Sequence, residues 1–159
     1  MQKSLQKILF EKYPKIFADK DKSPQETLIC FGFECGDGWY WLIDHLCQEI
    51  QGYIDNNEHL NICQVVATQV KEKYAGLSFY YYGGDDRIEG MVQLAEHFSY
   101  YICEQCGTTE NIGCTQGWYS TCCKRCYTKS KHLSAREWKS NTQEKKLLRD
   151  SKGRFSKHT

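Results

Sequence analysis

The chain has 159 residues, of which 40% are hydrophobic, 26% are charged and only 2 are prolines. This length allows one ordinary domain, or a small domain with a compact module, and excludes a multidomain enzyme. The composition is globular rather than disordered or collagen-like. No apolar run approaches the roughly 20 residues of a membrane helix, and Ile8-Leu9-Phe10 is too short for an export signal. We therefore expect a soluble, cytoplasmic protein without a membrane partner.

The formal net charge of +1 conceals an uneven distribution of charge along the chain. Residues 1–123 contain 9 Lys and Arg against 17 Asp and Glu, whereas residues 124–159 contain 12 against 3. A basic segment of this kind contacts phosphates, binds an acidic partner or folds back on its own acidic domain. A solvated tail that only keeps the protein soluble is a further interpretation, so charge alone leaves four interpretations of the C-terminal segment open.

The first part of the chain predicts two helices and a strand. Residues 4–17 begin with apolar side chains at helical spacing, which predicts a short helix followed by a turn. Residues 27–34 form a β-prone run that Gly32 weakens. Asp37 is the expected N-cap of the clearest helix, which ends near Asn56. Its apolar stripe consists of Trp39, Leu42, Ile43, Leu46, Cys47 and Ile50.

The middle of the chain predicts a β-hairpin followed by another helix. Residues 62–72 and 77–82 have the composition of two strands joined by a tight connection. Gly76 is the residue in that connection from which we expect a positive φ. Residues 83–86 break the strand pattern before the helix begins. The apolar stripe of this helix consists of Ile88, Met91, Ala95, Phe98 and Ile102.

Together these elements predict an α+β protein in three parts. Residues 1–102 form a domain in which a small sheet with a β-hairpin packs against two amphipathic helices. Residues 103–128 form a zinc-binding module that resembles a zinc ribbon, with four cysteine ligands. Residues 129–159 form a basic C-terminal helix or a flexible tail.

The chain contains 10 cysteines, and six of them lie within the 24 residues from 103 to 126. In a secreted protein this number would indicate a disulfide framework, but the chain shows no export signal. Cysteines that cluster in a reducing compartment are more typical of a metal site.

Two CxxC pairs carry the strongest motif in the sequence. Cys103 and Cys106 are separated from Cys123 and Cys126 by 16 residues, which is within the spacing of a four-cysteine zinc site. Four thiolates match the tetrahedral preference of Zn²⁺ and leave no open coordination position, so the ion is expected to be structural. Gly107 follows the first pair and suits its tight turn.

Three alternatives to this ligand set remain open from the residues themselves. Cys122 could replace Cys123 as the third ligand, and Cys114 is more typical of a spare thiol than of a ligand. An iron–sulfur cluster also uses four cysteines, although two close pairs favour zinc. Some of the thiols could also be free and merely buried.

Two weaker groups of residues suggest other chemistry. Tyr80 and Tyr82 alternate with the core positions of the hairpin and lie near Lys71 and Lys73, as on a base-stacking surface. A helix or the zinc module could equally cover both tyrosines. Four carboxylates could in principle hold Mg²⁺ for phosphodiester chemistry, although no spacing requires it and solvated or capping roles are commoner. They are Glu34, Asp37, Asp44 and Glu72.

Four blocks of sequence occur in the same order as in a family of small phage and prophage proteins. The blocks are GDGW at 36–39, QVKEKYAGLSFYYYG at 69–83, SYYICEQCG at 99–107 and GWYSTCCKRC at 117–126. The chain resembles that family over residues 30–126. The resemblance implies a phage-linked origin, a zinc knuckle and action on host machinery or host defence. In that family the last metal position is often a histidine where this chain has Cys126, which supports Cys123 over Cys122.

We therefore expect a non-enzymatic zinc-binding protein that contacts DNA or RNA. An interaction factor that inhibits or redirects a bacterial host protein is one alternative. An enzyme that processes nucleotides or nucleic acids through Asp37 and nearby carboxylates is the other. The residues expected to contact nucleic acid or a partner are Lys124, Arg125, Lys129, Lys131, Arg149, Lys152, Arg154, Tyr80 and Tyr82.

Overall fold

The computed structural model describes residues 1–141, so three predicted contact residues, Arg149, Lys152 and Arg154, lie outside it. The predicted α+β class is confirmed. Among the described residues, the α-helices are α1 (Lys3–Lys12), α2 (Tyr40–Asn56), α3 (Asp86–Ser99), α4 (Lys124–Lys129) and α5 (Lys131–Ser134). The strands are β1 (Phe33–Glu34), β2 (Val66–Lys73), β3 (Gly76–Tyr82), β4 (Ile112–Thr115), β5 (Thr121–Cys123) and β6 (Trp138–Ser140).

Two three-stranded sheets divide these strands between them. The first has the order β1-β2-β3, with β1 parallel and β3 antiparallel to β2. The second has the order β5-β4-β6, and both of its pairings are antiparallel. Each sheet borders its own group of buried side chains, the larger including Trp39, Ile43 and Phe79 and the smaller including Ile112 and Leu133. No helix within residues 1–141 is both long and apolar enough to cross a membrane.

The outer edge of β3 is closed by helix α3 rather than by another strand. The backbone N–H of Leu77 donates to the Ser99 hydroxyl at 2.8 Å, and that of Phe79 donates to a Glu96 carboxylate oxygen at 2.8 Å. Unpaired N–H groups on an edge strand otherwise invite pairing with another chain. These two side chains therefore protect the edge and hold α3 against the hairpin.

The hairpin turn differs from the sequence expectation in its left-handed residues. Tyr74 and Ala75 have φ values of 51° and 70°, and Gly76 has no positive φ. A two-residue hairpin turn with positive φ at both central positions matches the twist of its strands, which explains the placement. Gly76 has another effect, because a Cβ there would overlap the outer end of the Tyr100 ring and displace it.

Two further expectations about the first domain are wrong. The predicted strand at 27–34 is reduced to Phe33–Glu34, which pairs with β2, because a 3-10 turn forms at Ile29–Phe31 and Gly32 adopts a φ of 82°. Asp37 does not cap α2, which a second 3-10 turn precedes. Its carboxylate instead accepts a hydrogen bond from the Gln2 backbone N–H at 2.6 Å.

A buried carboxylate ties α1 to α2. Asp44 is 3% exposed, and its Oδ1 accepts hydrogen bonds from the Lys12 ammonium at 2.8 Å and the Tyr13 hydroxyl at 2.7 Å. Burial opposes ionisation of this group, but the two hydrogen bonds outweigh burial and lower the pKa of Asp44 below 3.8.

We expect Asp44→Asn to lower the free energy of unfolding by about 1–3 kcal/mol at pH 7, because Lys12 loses its carboxylate partner. A lowered folded-state pKa stabilises the protein above the unfolded-state value and is lost as pH falls through the folded value. The difference in the free energy of unfolding between variant and parent should therefore shrink below about pH 4. Urea unfolding at pH 7 and at pH 3 measures this difference. An equal difference at the two pH values would contradict the ion pair between Asp44 and Lys12.

The second sheet extends beyond residue 128 because β6 pairs with the free edge of β4. Trp138 lies opposite Thr115, and its indole N–H donates to the Cys122 carbonyl oxygen at 3.2 Å. The Trp138 ring also packs against Tyr127, with 6.0 Å between the ring centroids. The described part of the basic segment therefore folds back onto residues 103–128, which we call the metal module because they contain the candidate metal ligands.

Candidate metal centre

Four cysteine sulfurs meet between the end of α3 and the start of α4. The Sγ atoms of Cys103, Cys106, Cys123 and Cys126 all lie within 4.8 Å of one another. The Cys106 and Cys123 sulfurs are 3.8 Å apart. A tetrahedral site with Zn–S bonds of about 2.3 Å has sulfur–sulfur edges of about 3.8 Å, whereas a disulfide requires about 2.05 Å. The geometry is thus compatible with a metal site, and none of the ten cysteines forms a disulfide.

The first CxxC pair lies in a tight turn that its own backbone closes. The Gly107 N–H donates to the Cys103 carbonyl oxygen at 2.8 Å, and the Cys103 N–H donates to Thr108 at 2.8 Å. Gly107 adopts a φ of 76°, as its position after the pair predicted. This conformation costs glycine little, so the turn holds Cys103 and Cys106 on the same side.

The second CxxC pair lies at the junction of β5 and α4. Cys123 is the N-cap of α4, and its sulfur accepts a hydrogen bond from the Cys126 N–H at 3.4 Å. Cys122 lies outside the sulfur cluster and is completely buried in the core of the second sheet. Burial raises the pKa of Cys122 to about 12, so it stays a protonated thiol. The Cys114 sulfur also lies apart and donates to the Thr115 carbonyl oxygen.

The environment of the cluster favours a thiolate at one position. Burial opposes ionisation of Cys106, but hydrogen bonds from the Thr108 backbone, Cys126 and Arg125 outweigh it and lower the pKa of Cys106 to about 6. The Arg125 guanidinium lies 3.7 Å from this sulfur. Since metals bind thiolates, a positive group beside the most exposed sulfur supports metal binding.

The GDGW loop of the first domain braces the first CxxC pair. The Gly38 N–H donates to the Glu104 carbonyl oxygen at 2.8 Å, and the Gly36 N–H donates to the Glu104 carboxylate at 2.8 Å. A Cβ at Gly38 would overlap the Cys103 carbonyl oxygen, so the two backbones approach more closely than a side chain allows. The Trp39 indole N–H donates to Ile102 at 3.0 Å. The contact between the GDGW loop and the first CxxC pair was not predicted from the sequence, although the two glycines that precede the buried Trp39 were a signal for it.

The basic residues of the second CxxC pair are partly engaged within the module. Lys124 places its ammonium 4.7 Å and 4.6 Å from the ring centroids of Tyr127 and Trp138, while Arg125 points at the sulfur cluster. Lys129 and Lys131, at the end of α4 and the start of α5, are exposed. All four predicted contact residues are therefore exposed, and two of them, Lys124 and Arg125, also contact groups of the module.

The hairpin tyrosines are uncovered. Tyr80 is 40% exposed and Tyr82 is 51% exposed, so within residues 1–141 neither a helix nor the metal module covers them. The Lys71 and Lys73 ammonium groups lie 5.5 Å and 6.0 Å from the Tyr80 ring centroid. The Tyr82 hydroxyl donates to Asp19 at 3.2 Å.

The four carboxylates considered for a Mg²⁺ site do not assemble. Asp44 binds Lys12, Asp37 accepts from Gln2, Glu34 accepts from Gln69, and Glu72 accepts from the Ala75 backbone N–H. Within residues 1–141, the cysteine cluster is the one group of three or more potential ligands close enough to hold an ion. The structure thus places these acidic residues in separate local contacts.

A cleft between the two sheets combines aromatic side chains with one carboxylate. The turn residue Tyr74 forms one wall, Trp118 and Tyr119 in the β4–β5 loop form the other, and Glu72 also lines the cleft. The cleft encloses about 270 Å³. Sequence analysis did not group these residues, because more than 40 positions separate the two walls.

A larger cavity of about 550 Å³ lies beside α1 and is lined by residues of mixed charge. Its acidic residues Glu11 and Asp21 form ion pairs with Lys7 and Lys20. Phe10 and Phe31 contribute aromatic rings to its lining, but the larger cavity has no concentrated charge that would define a ligand.

Comparisons with protein-family models, with curated proteins and with solved structures each returned no match for this chain.

Proposed function

We propose that this chain is a small zinc-stabilised protein that binds single-stranded nucleic acid and carries out no catalysis. The observation that supports the proposal is the exposed Tyr80 ring, flanked by the ammonium groups of Lys71 and Lys73 on an open sheet face. Proteins that bind single strands combine aromatic rings, on which bases stack, with cations that follow the phosphates.

The exposed rings continue from the sheet face to the metal module. The Lys73 ammonium lies 5.8 Å from the Tyr74 ring centroid as well as beside Tyr80, so it joins the sheet face to the cleft. Across the cleft, the Arg136 guanidinium lies 5.9 Å from the Trp118 ring centroid and donates to its carbonyl oxygen. We call this set the aromatic track, and it consists of Lys71, Lys73, Tyr74, Tyr80, Trp118, Tyr119 and Arg136.

The role of the metal in this proposal is structural. Zinc is the proposed ion, because it prefers four thiolates at tetrahedral positions. Four cysteine ligands leave no coordination position for a substrate, so the ion is structural. The second sheet buries only a small apolar cluster, so it depends on the ion for its stability. Zinc would thereby fix Trp118, Tyr119 and Arg136 relative to the hairpin.

We expect Tyr80→Ala to weaken binding of a short single-stranded oligonucleotide by about 5-fold to 150-fold, because one stacked base contributes about 1–3 kcal/mol. Fluorescence polarisation with labelled DNA and RNA oligonucleotides at two salt concentrations measures the effect. The affinity of the parent protein should fall as salt rises, since lysine–phosphate contacts release counterions.

A matched control is Trp41→Ala, which removes a 66% exposed ring on α2 whose aromatic contacts are Tyr40 and His45. This variant should bind as the parent does. Equal losses in the two variants, or no salt-dependent binding by the parent at micromolar protein, would refute the proposal.

A second candidate function is binding to a bacterial host protein. The observation in its favour is the apolar outer face of α3 and the turn that follows it, where Leu94, Phe98 and Tyr101 are 49–56% exposed. Such a patch is typical of protein interfaces. Affinity purification from bacterial cells after nuclease treatment separates the two functions, because only a protein partner survives that treatment in stoichiometric amount.

A further inference from the structure

We propose that the cleft between Tyr74 and the Trp118–Tyr119 pair binds one unstacked guanine base, whose N1–H and N2–H groups donate to Glu72. This inference rests on the proposed function, since it names the base that a bound single strand would place in the cleft. It assigns base selectivity to residues that lie outside both the metal centre and the open sheet face.

The two walls of the cleft are held at a fixed separation. The Thr121 hydroxyl on β5 donates to the Ala75 carbonyl oxygen in the hairpin turn at 2.7 Å, and both residues are buried. The rings themselves stay accessible, with Tyr74 76%, Trp118 70% and Tyr119 48% exposed. The volume of about 270 Å³ lies just below the range of about 300–1,000 Å³ for small-ligand pockets, which suits a single base.

Tyr74 occupies a turn position that ordinarily favours Asn or Gly. Its φ of 51° is uncommon for a bulky residue, and the following Ala75 is also left-handed. The fold therefore accepts a conformational cost while presenting a large aromatic side chain to solvent. Strain of this kind is common where a side chain contacts a ligand.

Glu72 supplies the polar selectivity of the cleft. Its Oε1 accepts a hydrogen bond from the Ala75 N–H at 2.7 Å, which fixes the carboxylate beside the aromatic walls. Among residues 1–141, neither a hydrogen bond to its second oxygen nor an ion pair to this carboxylate is present. The neighbouring Lys71 lies beside Tyr80 on the other face of the strand, and Lys73 lies between the Tyr80 and Tyr74 rings without an ion pair to Glu72.

An ionised carboxylate accepts hydrogen bonds and donates none. Guanine presents two adjacent N–H donors on its Watson–Crick edge, which match the two carboxylate oxygens. Uracil and thymine present one N–H between two carbonyl oxygens, and adenine and cytosine present an amine beside an acceptor nitrogen. The carboxylate therefore repels part of the edge of every base except guanine, while stacking on Tyr74 and Trp118 is available to all of them.

The test uses uridine octamers with one central guanosine, inosine or uridine and the intact protein. We expect the guanosine octamer to bind about 10-fold more tightly than the all-uridine octamer, since a bidentate pair discriminates by about 1–3 kcal/mol. Inosine lacks the N2 amine, so its octamer should bind with intermediate affinity. Glu72→Gln should remove the guanosine preference and retain binding of the all-uridine octamer.

Glu34→Gln is the matched control, because it removes the same charge from a carboxylate that accepts from Gln69 outside the cleft. This control should keep the guanosine preference, and thermal unfolding should show both variants folded. Equal affinity of the parent for guanosine and uridine octamers overturns the inference and leaves the proposed function intact. Saturable binding of tetramethylammonium together with such equal affinity overturns it in favour of a cation site. No binding of any octamer overturns the proposed function itself.

Discussion

Cys123→Ala should abolish metal binding and unfold the second sheet, while the neighbouring Cys122→Ala should retain the ion. Cys123 is one of the four clustered sulfurs, whereas Cys122 is a buried thiol outside the cluster. A structural zinc site contributes folding free energy of order 10 kcal/mol, which is comparable to the entire stability of a small domain. Native mass spectrometry measures the bound ion, and hydrogen exchange of residues 103–141 measures the unfolding.

Cys122→Ala is a demanding control, because it removes a buried sulfur from the same strand. It should lose only about 1 kcal/mol of stability through the small cavity left behind. Loss of the ion in Cys122→Ala, or full retention of zinc in Cys123→Ala, would show that the ligand assignment is wrong. A chelator should unfold the second sheet of the parent protein in the same way as Cys123→Ala.

Gly38→Ala should destabilise the protein by about 3 kcal/mol or more and weaken its hold on the ion, although Gly38 is not a ligand. An added Cβ would overlap backbone atoms of Cys103, Glu104 and Gly107, and backbone cannot move aside as a flexible side chain does. The change would therefore displace the first CxxC pair from the other two sulfurs. Thermal unfolding and competition with a zinc chelator measure the two effects.

Gly52→Ala provides the matched control for this substitution. Gly52 lies within α2, and a Cβ there would contact no other atom within 4 Å. Alanine favours the helix over glycine by up to about 1 kcal/mol, so this variant should be slightly stabilised. If the Gly38→Ala variant unfolds at the same temperature as the parent, the prediction that the GDGW loop supports the metal centre is wrong.

The clearest amphipathic helix was predicted well from the sequence, whereas the predicted stripe of α3 is wrong at Phe98, which is 49% exposed. The apolar stripe of α2 is buried at Ile43, Leu46, Cys47 and Ile50, and the helix ends at Asn56 as expected. The strand at 27–34 failed, because Gly32 and a 3-10 turn break a run that is apolar but too short to have a clear period. A local sequence pattern thus predicts secondary structure reliably where many side chains repeat the same spacing. It predicts secondary structure poorly where a single residue, such as Gly32, determines the backbone conformation.

The candidate site was predicted only in its local part. The spacing of the two CxxC pairs identified the four sulfurs, because each pair is a local turn. The contact of Gly38 with Cys103 and the cleft between Tyr74 and Trp118 join residues far apart in the chain. No local pattern connects such residues, so these features required the folded structure.

By itself, the amino-acid sequence determined the thiolate chemistry, the helical stripes and the alternation that directs Tyr80 away from Phe79. The tertiary structure decided that no element within residues 1–141 covers Tyr80, and it excluded Cys122, the alternative to Cys123 that the sequence had left open, from the cluster. It also decided that Gly76 serves the packing of Tyr100 instead of the turn. The physical reason is that backbone geometry specifies the direction of a side chain, whereas the packing of distant segments specifies what that side chain meets.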